Sequence, residues 1–153
     1  MSGRHLDDPS TDELHTTAAQ RLRSDGLRYT TSRRAVVQIL AASDRPLTIP
    51  EILELDRSLA QSSAYRNLTE LISAGVVHRI VAGDEYSHFE LAEDLTSHHH
   101  HLVCTSCGRV SDVTLDDRIE GSLDRALRAV ADEQGFTAEH HRLDVLGRCA
   151  ECD

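Results

Sequence analysis

The chain has no tryptophan, only two phenylalanines and three tyrosines in 153 residues, too few rings for a surface that reads nucleic-acid bases by stacking. No run approaches the roughly eighteen apolar residues of a membrane-spanning helix. The first seventeen residues, MSGRHLDDPSTDELHTT, are polar and acidic and lack the basic start and apolar segment of a secretory leader. A cytoplasmic location is therefore expected, and reduced thiols with it. In that setting the four cysteines read as thiolate ligands before they read as disulfides. Hydrophobic residues make up 39% of the chain, enough for one ordinary core or two small ones. Histidine is abundant instead: there are ten, and four stand in a row in SHHHHLVCTSC, residues 97–107.

The formal net charge of −10 hides an asymmetry. Residues 18–80 hold nine arginines against six carboxylates, whereas residues 81–153 hold six arginines against sixteen carboxylates. A basic half suits phosphate and an acidic half suits cations or a partner.

Capping and periodicity place a boundary near residue 82. Ser10-Thr11-Asp12-Glu13 has the form of a capping box opening a helix through Leu14, Ala18 and Leu22 to Gly26. A second helix follows Thr31, and Thr48-Ile49-Pro50-Glu51 opens a third with proline in its first turn. QSSAYRNLTELISAGVV supplies serine caps, Leu68, Leu71 and Ile72 at helical spacing, and Gly75 as terminator. VVHRIVAGDEYSHFEL reads as two strands around a Gly83-Asp84 turn. Short helices closed by a hairpin have the layout of a winged helix-turn-helix, in which the early residues of one helix face base edges. Gln61, Ser62, Ser63, Tyr65 and Arg66 occupy that stretch.

Cys104-x-x-Cys107 recurs as Cys149-x-x-Cys152, so four thiolates can close one tetrahedral zinc site. Between the pairs there is room for a helix over 117–134 and a strand over roughly 138–146. On a strand the side chains alternate, so His98 and His100 face one way and His99 and His101 the other, and one run can serve two sites. Candidates to complete them are His78, His88 and Glu90 in the hairpin, and Glu120 and His141 beyond the first cysteine pair.

With GLRYTTSRR, SSAYRNLTELISAGVV, HHHHLVCTSCGRV and HHRLDVLGRCAEC in this order, the chain resembles the ferric-uptake-regulator family of bacterial metal-dependent repressors over about residues 18–152. The resemblance implies an α+β fold: a winged-helix DNA-binding domain over 18–82, its wing strand continuing to about 91, and a small α/β metal-binding dimerisation domain over 92–153, with 1–17 as a polar extension. It implies a metal-loaded homodimer that grips palindromic double-stranded operator DNA and represses metal-uptake or homeostasis genes, with no membrane or small organic substrate involved. By position, Cys104, Cys107, Cys149 and Cys152 match the structural zinc site. His78, Glu90, His99 and His101 match the hinge sensing site, with His88 as an alternative to Glu90. His98, His100, Glu120 and His141 match a further site in the dimerisation domain. Tyr65, Arg66 and Arg28 match DNA contacts, and Arg33, Ser62 and Ser63 are grouped with them.

Departures bear on the metal. Iron-type members carry a histidine where this chain has Pro46, and zinc-sensing members often use a hinge cysteine, whereas all four cysteines here are taken. AEDLTS, between Glu90 and His98, departs from the family spacing. Zinc is favoured as the sensed metal, with ferrous iron, manganese or nickel as alternatives, and a peroxide-sensing regulator is a further reading. Two more distant alternatives are a zinc enzyme and a metal buffer without DNA function. His88-x-Glu90 before Cys104-x-x-Cys107 echoes zinc deaminases, but a second cysteine pair closes the site.

Overall fold

The computed structural model describes residues 11–82 and 86–153. Ser10 and the Gly83-Asp84 turn lie outside them. Four helices come first: α1 (Thr11–Ser24), α2 (Thr31–Ala42), α3 (Ile49–Leu55) and α4 (Gln61–Ser73). The antiparallel hairpin β1 (Val77–Ala82) and β2 (Tyr86–Leu91) follows, then a single 3-10 turn, Glu93–Leu95. The last part holds β3 (His100–Cys104), β4 (Val110–Val113), α5 (Asp117–Glu133) and β5 (Asp144–Gly147). Its sheet runs β4-β3-β5, with β4 antiparallel and β5 parallel to β3. No helix among the described residues is long and apolar enough to cross a membrane. This mixed α+β architecture is the one expected from the sequence.

Local chemistry explains the first half. Thr30 caps α2 by accepting from the Arg33 amide, and Thr48 and Glu51 complete a reciprocal capping box on α3. Each such cap is worth about 1 kcal/mol. Gly26 and Gly75 end α1 and α4 at φ 74° and 76°, a region that costs a residue with Cβ but not glycine. The next amides, Leu27 and Val76, donate back to Leu22 and Leu71. The serines of QSSAYRN are not caps: α4 starts at Gln61 behind Ala60, which offers no side-chain bond. Burial of Ala64, Asn67, Leu68 and Leu71 fixes that helix instead.

The main core gathers Leu14, Ala18 and Leu22 of α1, Val36, Val37 and Leu40 of α2, Ile52, Leu68 and Leu71, and Phe89 and Leu91 of β2. Leu47 pairs with Phe89 and adds a short third edge to the hairpin. The folded unit begins before residue 18, since α1 starts at Thr11 and buries Leu14 and His15. His15 is satisfied there by the Tyr29 hydroxyl at 2.5 Å and Gln38 Oε1 at 2.9 Å. A smaller cluster of Ile80, Ala82, Val103 and Val110 joins the hairpin to the second sheet.

The second half is built differently. Helix α5 buries none of its residues, and β5 is exposed throughout. That strand is also shorter than expected. It begins at Asp144, because the residues before it turn toward α5, where Arg128 donates to the Ala138 carbonyl and His141 reaches Glu120.

Candidate metal centres and DNA-facing surface

A tight knuckle brings the cysteines together. Cys104 ends β3, and the chain turns back through Cys107 so that Cys104 N meets Arg109 O at 2.8 Å. The parallel strand β5 delivers Cys149 to the same place. The four sulfurs lie within 4.8 Å of one another, and none is in a disulfide. The amides of Cys107 and Cys149 donate to Cys104 Sγ at 3.5 and 3.4 Å and hold its thiol down to about 6. For Cys152 a Ser106 hydrogen bond pulls the thiol down, but crowding by Cys149, Cys107 and Cys104 outweighs it and pushes the thiol up to about 11. Further negative charge there needs a cation, and four sulfurs with no open position fit tetrahedral zinc.

The histidine run splits to two sides, although only His100 and His101 lie on β3. His98 and His100 join Glu120 and His141 in one cluster, and His99 and His101 join Glu90 and Asp112 in the other, each with donor atoms within 4.8 Å. Five imidazoles present Nε2 to a central carboxylate. His98, His100 and His141 lie 2.9, 2.7 and 2.7 Å from Glu120, and His99 and His101 lie 2.9 and 3.1 Å from Glu90. The opposite nitrogens are mostly held by oxygen. His99 Nδ1 donates to the Ser97 carbonyl at 2.9 Å, His101 Nδ1 to Asp144 at 3.0 Å, and His98 Nδ1 lies 2.5 Å from Glu93. An imidazole that donates through Nδ1 is left with an Nε2 lone pair for a cation, the arrangement usual for metal-ligating histidines. These donor sets therefore fit divalent metal.

Electrostatics points the same way. Desolvation pushes both central carboxylates up, yet the imidazole hydrogen bonds outweigh it and bring Glu90 and Glu120 down to about 2. The Glu90 hydrogen bond raises His99 to about 9 against burial. Burial lowers His101, but Glu90 and Asp144 more than reverse it. Without a cation the hinge cluster thus holds its charge as protons on imidazole, and loading it must release them.

Two residues named from the sequence are placed otherwise. His78 lines the same hinge cavity as Glu90, His99 and His101, but its ring is turned to the Arg142 guanidinium at 2.6 Å, and Asp112 supplies the fourth donor. Asp112 Oδ1 lies 3.6 Å from His101 Nε2. His88 stands outside the cluster. It is buried on the hairpin within the field of Glu51 and Arg45, and desolvation lowers its pKa. Pro46 precedes the Leu47–Phe89 bridge and so lies beside Glu90 along the ladder.

On the first half, Arg28, Ser62, Ser63, Tyr65 and Arg66 are all exposed, the last four in the early turns of α4. Arg33 is not available to DNA. It is buried, donates to the Arg28 carbonyl and pairs with Glu70, so that its charge clamps α2 to α4.

Residues 24–146 match the sequence pattern of the Ferric uptake regulator family. The ferric uptake regulation protein of Legionella pneumophila is 34% identical over 139 residues, covering 88% of this chain and 97% of its own. The peroxide operon regulator of Bacillus subtilis is 30% identical over 139 residues, covering 88% and 90%. In structure, the Helicobacter pylori ferric uptake regulator, described as having three functional metal binding sites, superposes with a TM-score of 0.72 at 21% identity, covering 98% of this chain and 96% of its own.

Proposed function

The chain belongs to the ferric uptake regulator family of metal-responsive transcription regulators, which are not enzymes, and we propose that it is a repressor switched by metal at the hinge between its two halves. The observation that carries this reading is the origin of the hinge donors. Glu90 comes from the wing hairpin, whereas His101 and Asp112 come from the second sheet and His99 from the residue just before its central strand. Glu90, His99, His101 and Asp112 would hold a divalent cation whose charge would offset both carboxylates, and these residues would then tie the two halves at one angle. Residues on both sides then act as a clamp, favouring the one arrangement in which two α4 helices span half-sites about one helical turn apart. Coupling of roughly 1–3 kcal/mol per site is enough for a usable switch.

The operator calls for a pair of chains, and the second half offers the surface. Ile119, Leu127 and Val130 of α5 are 57, 40 and 59% exposed, and Leu102 and Val145, paired in the sheet, add to the apolar area. So much exposed apolar surface on so small a unit marks an interface, and a homodimer through this face puts one α4 on each side. Double-stranded DNA is met by the Arg28, Ser62, Ser63, Tyr65 and Arg66 surface, and the acidic half keeps other faces off the phosphates.

Zinc is the favoured hinge metal: two imidazoles and two carboxylates make a donor set that would suit it, and Pro46 offers no further donor. Asp112 favours a second reading. It makes the site half carboxylate, and ferrous iron or manganese accepts such a set if His78 leaves Arg142 to join it. Structural zinc at the four cysteines is part of both readings. Fluorescence anisotropy with operator DNA, using protein kept zinc-loaded only at the cysteines, tests the proposal. Binding should rise at least tenfold on adding hinge metal and should weaken with salt. Equal binding with and without metal would reject it.

A further inference from the structure

The AEDLTS segment between β2 and β3 carries groups that the hinge mechanism does not use. Its first part is built into the DNA-binding half. Leu95 is buried in the main core, and the Ala92 amide donates to the Val76 carbonyl at 2.8 Å. The Asp94 carboxylate pairs with Arg21 of α1, whose guanidinium also donates to the Gly75 carbonyl at 2.7 Å. Glu93, between these anchors, lines the edge of the hinge cavity and reaches the histidine run. Its Oε1 lies 2.5 Å from Nδ1 of His98, while Nε2 of the same ring faces Glu120 at 2.9 Å.

We propose that Glu93 joins the His98–His100–Glu120–His141 centre to the DNA-binding half, which makes that centre a second interdomain clamp rather than a device internal to the dimerisation half. The inference rests on the metal-regulator reading above and adds a second route beside the hinge cluster. A carboxylate on Nδ1–H fixes the ring and makes Nε2 a better donor. Because Asp94 and Leu95 fasten the turn to α1 and the main core, the orientation of His98 and the position of the turn are one variable. Ordering His98 at the Glu120 centre orders the turn, and by reciprocity a fixed turn strengthens the centre.

The test uses the full chain in a His99→Ala background, which disables the hinge cluster, without DNA. Zinc affinity is read by competition with a chelating dye, and backbone hydrogen exchange is followed over residues 92–96. Zinc beyond the cysteine site should slow exchange in that turn as well as in α5. Glu93→Ala should weaken this zinc roughly 10- to 100-fold and, at saturating zinc, leave the turn exchanging at its zinc-free rate. Glu93→Gln, which keeps an acceptor oxygen, should restore much of both effects. Unchanged affinity and protection in Glu93→Ala would overturn the proposal. So would weaker zinc with the turn still protected, because Glu93 would then orient His98 without linking the halves. Neither readout involves DNA, so a failure of metal-stimulated operator binding alongside zinc-dependent protection of the turn would reject the repressor reading and leave the clamp standing.

Discussion

The two halves of this molecule are held by different physics. The first has a continuous apolar core from Leu14 to Leu95, with side-chain caps on α2 and α3. The second has a helix with no buried residue, an exposed edge strand, and three clusters of side chains that could hold metal, one of them shared with Glu90 of the hairpin. On the proposed reading, one half carries its stability in its own packing, and the other depends on cations and a second copy. A sensor benefits from that division, because the part that must respond to metal is the part that metal completes.

The sharpest way to break the comparison is to remove structural zinc. Cys107→Ser should unfold the sheet β4-β3-β5 while the four helices stay folded, since structural zinc is worth on the order of 10 kcal/mol. Amide NMR signals would show one half dispersed and the other collapsed, and loss of both halves together would contradict the division. Next in size, His99→Ala or His101→Ala should abolish metal-stimulated operator binding with the helical fold intact, and unfolding of either variant would sink the hinge assignment. Within the first half, Glu70→Ala strands the Arg33 guanidinium and should cost about 2–3 kcal/mol in denaturant unfolding, below the value for a fully buried pair. No change there would mean that Arg33 finds water.

The smallest effect is on pH. His99 is raised to about 9 and Glu90 lowered to about 2. Their pairing stabilises the metal-free fold fully between the ordinary carboxylate and imidazole ranges. It is lost as pH falls through about 2 and as it rises through about 9. Hinge metal must displace the His99 proton, and at lower pH the His101 proton as well, so its affinity should climb at least about tenfold per pH unit below 9. Calorimetry in buffers of different ionisation heat would show proton release on binding, and a pH-independent affinity would contradict it.

Much of this was legible in the sequence where the signal is local. The Thr48–Glu51 capping box, α5 and the alternation of His98 to His101 are each set by neighbours a few residues apart. What failed to show depends on register or burial. Asp112 sits opposite His101 only because the Cys104–Cys107 knuckle makes β3 and β4 a hairpin, and counting across that knuckle would have found it. Arg33 belongs to the same buried stripe as Val36, Val37 and Leu40, three, four and seven residues on, which its charge concealed. His78 was named from its position, yet an arginine 64 residues away takes its ring. No local pattern reveals that contact.

The central claim is that metal at the Glu90–His99–His101–Asp112 hinge licenses DNA binding. Its most direct test is a metal-by-metal titration of the dimer, stripped of all but cysteine-bound zinc, against its own upstream DNA. Zinc should restore binding at concentrations well below those needed for ferrous iron, manganese or nickel, and His99→Ala should remove the response. Full DNA binding by the stripped protein, or an unaltered response in His99→Ala, would contradict it.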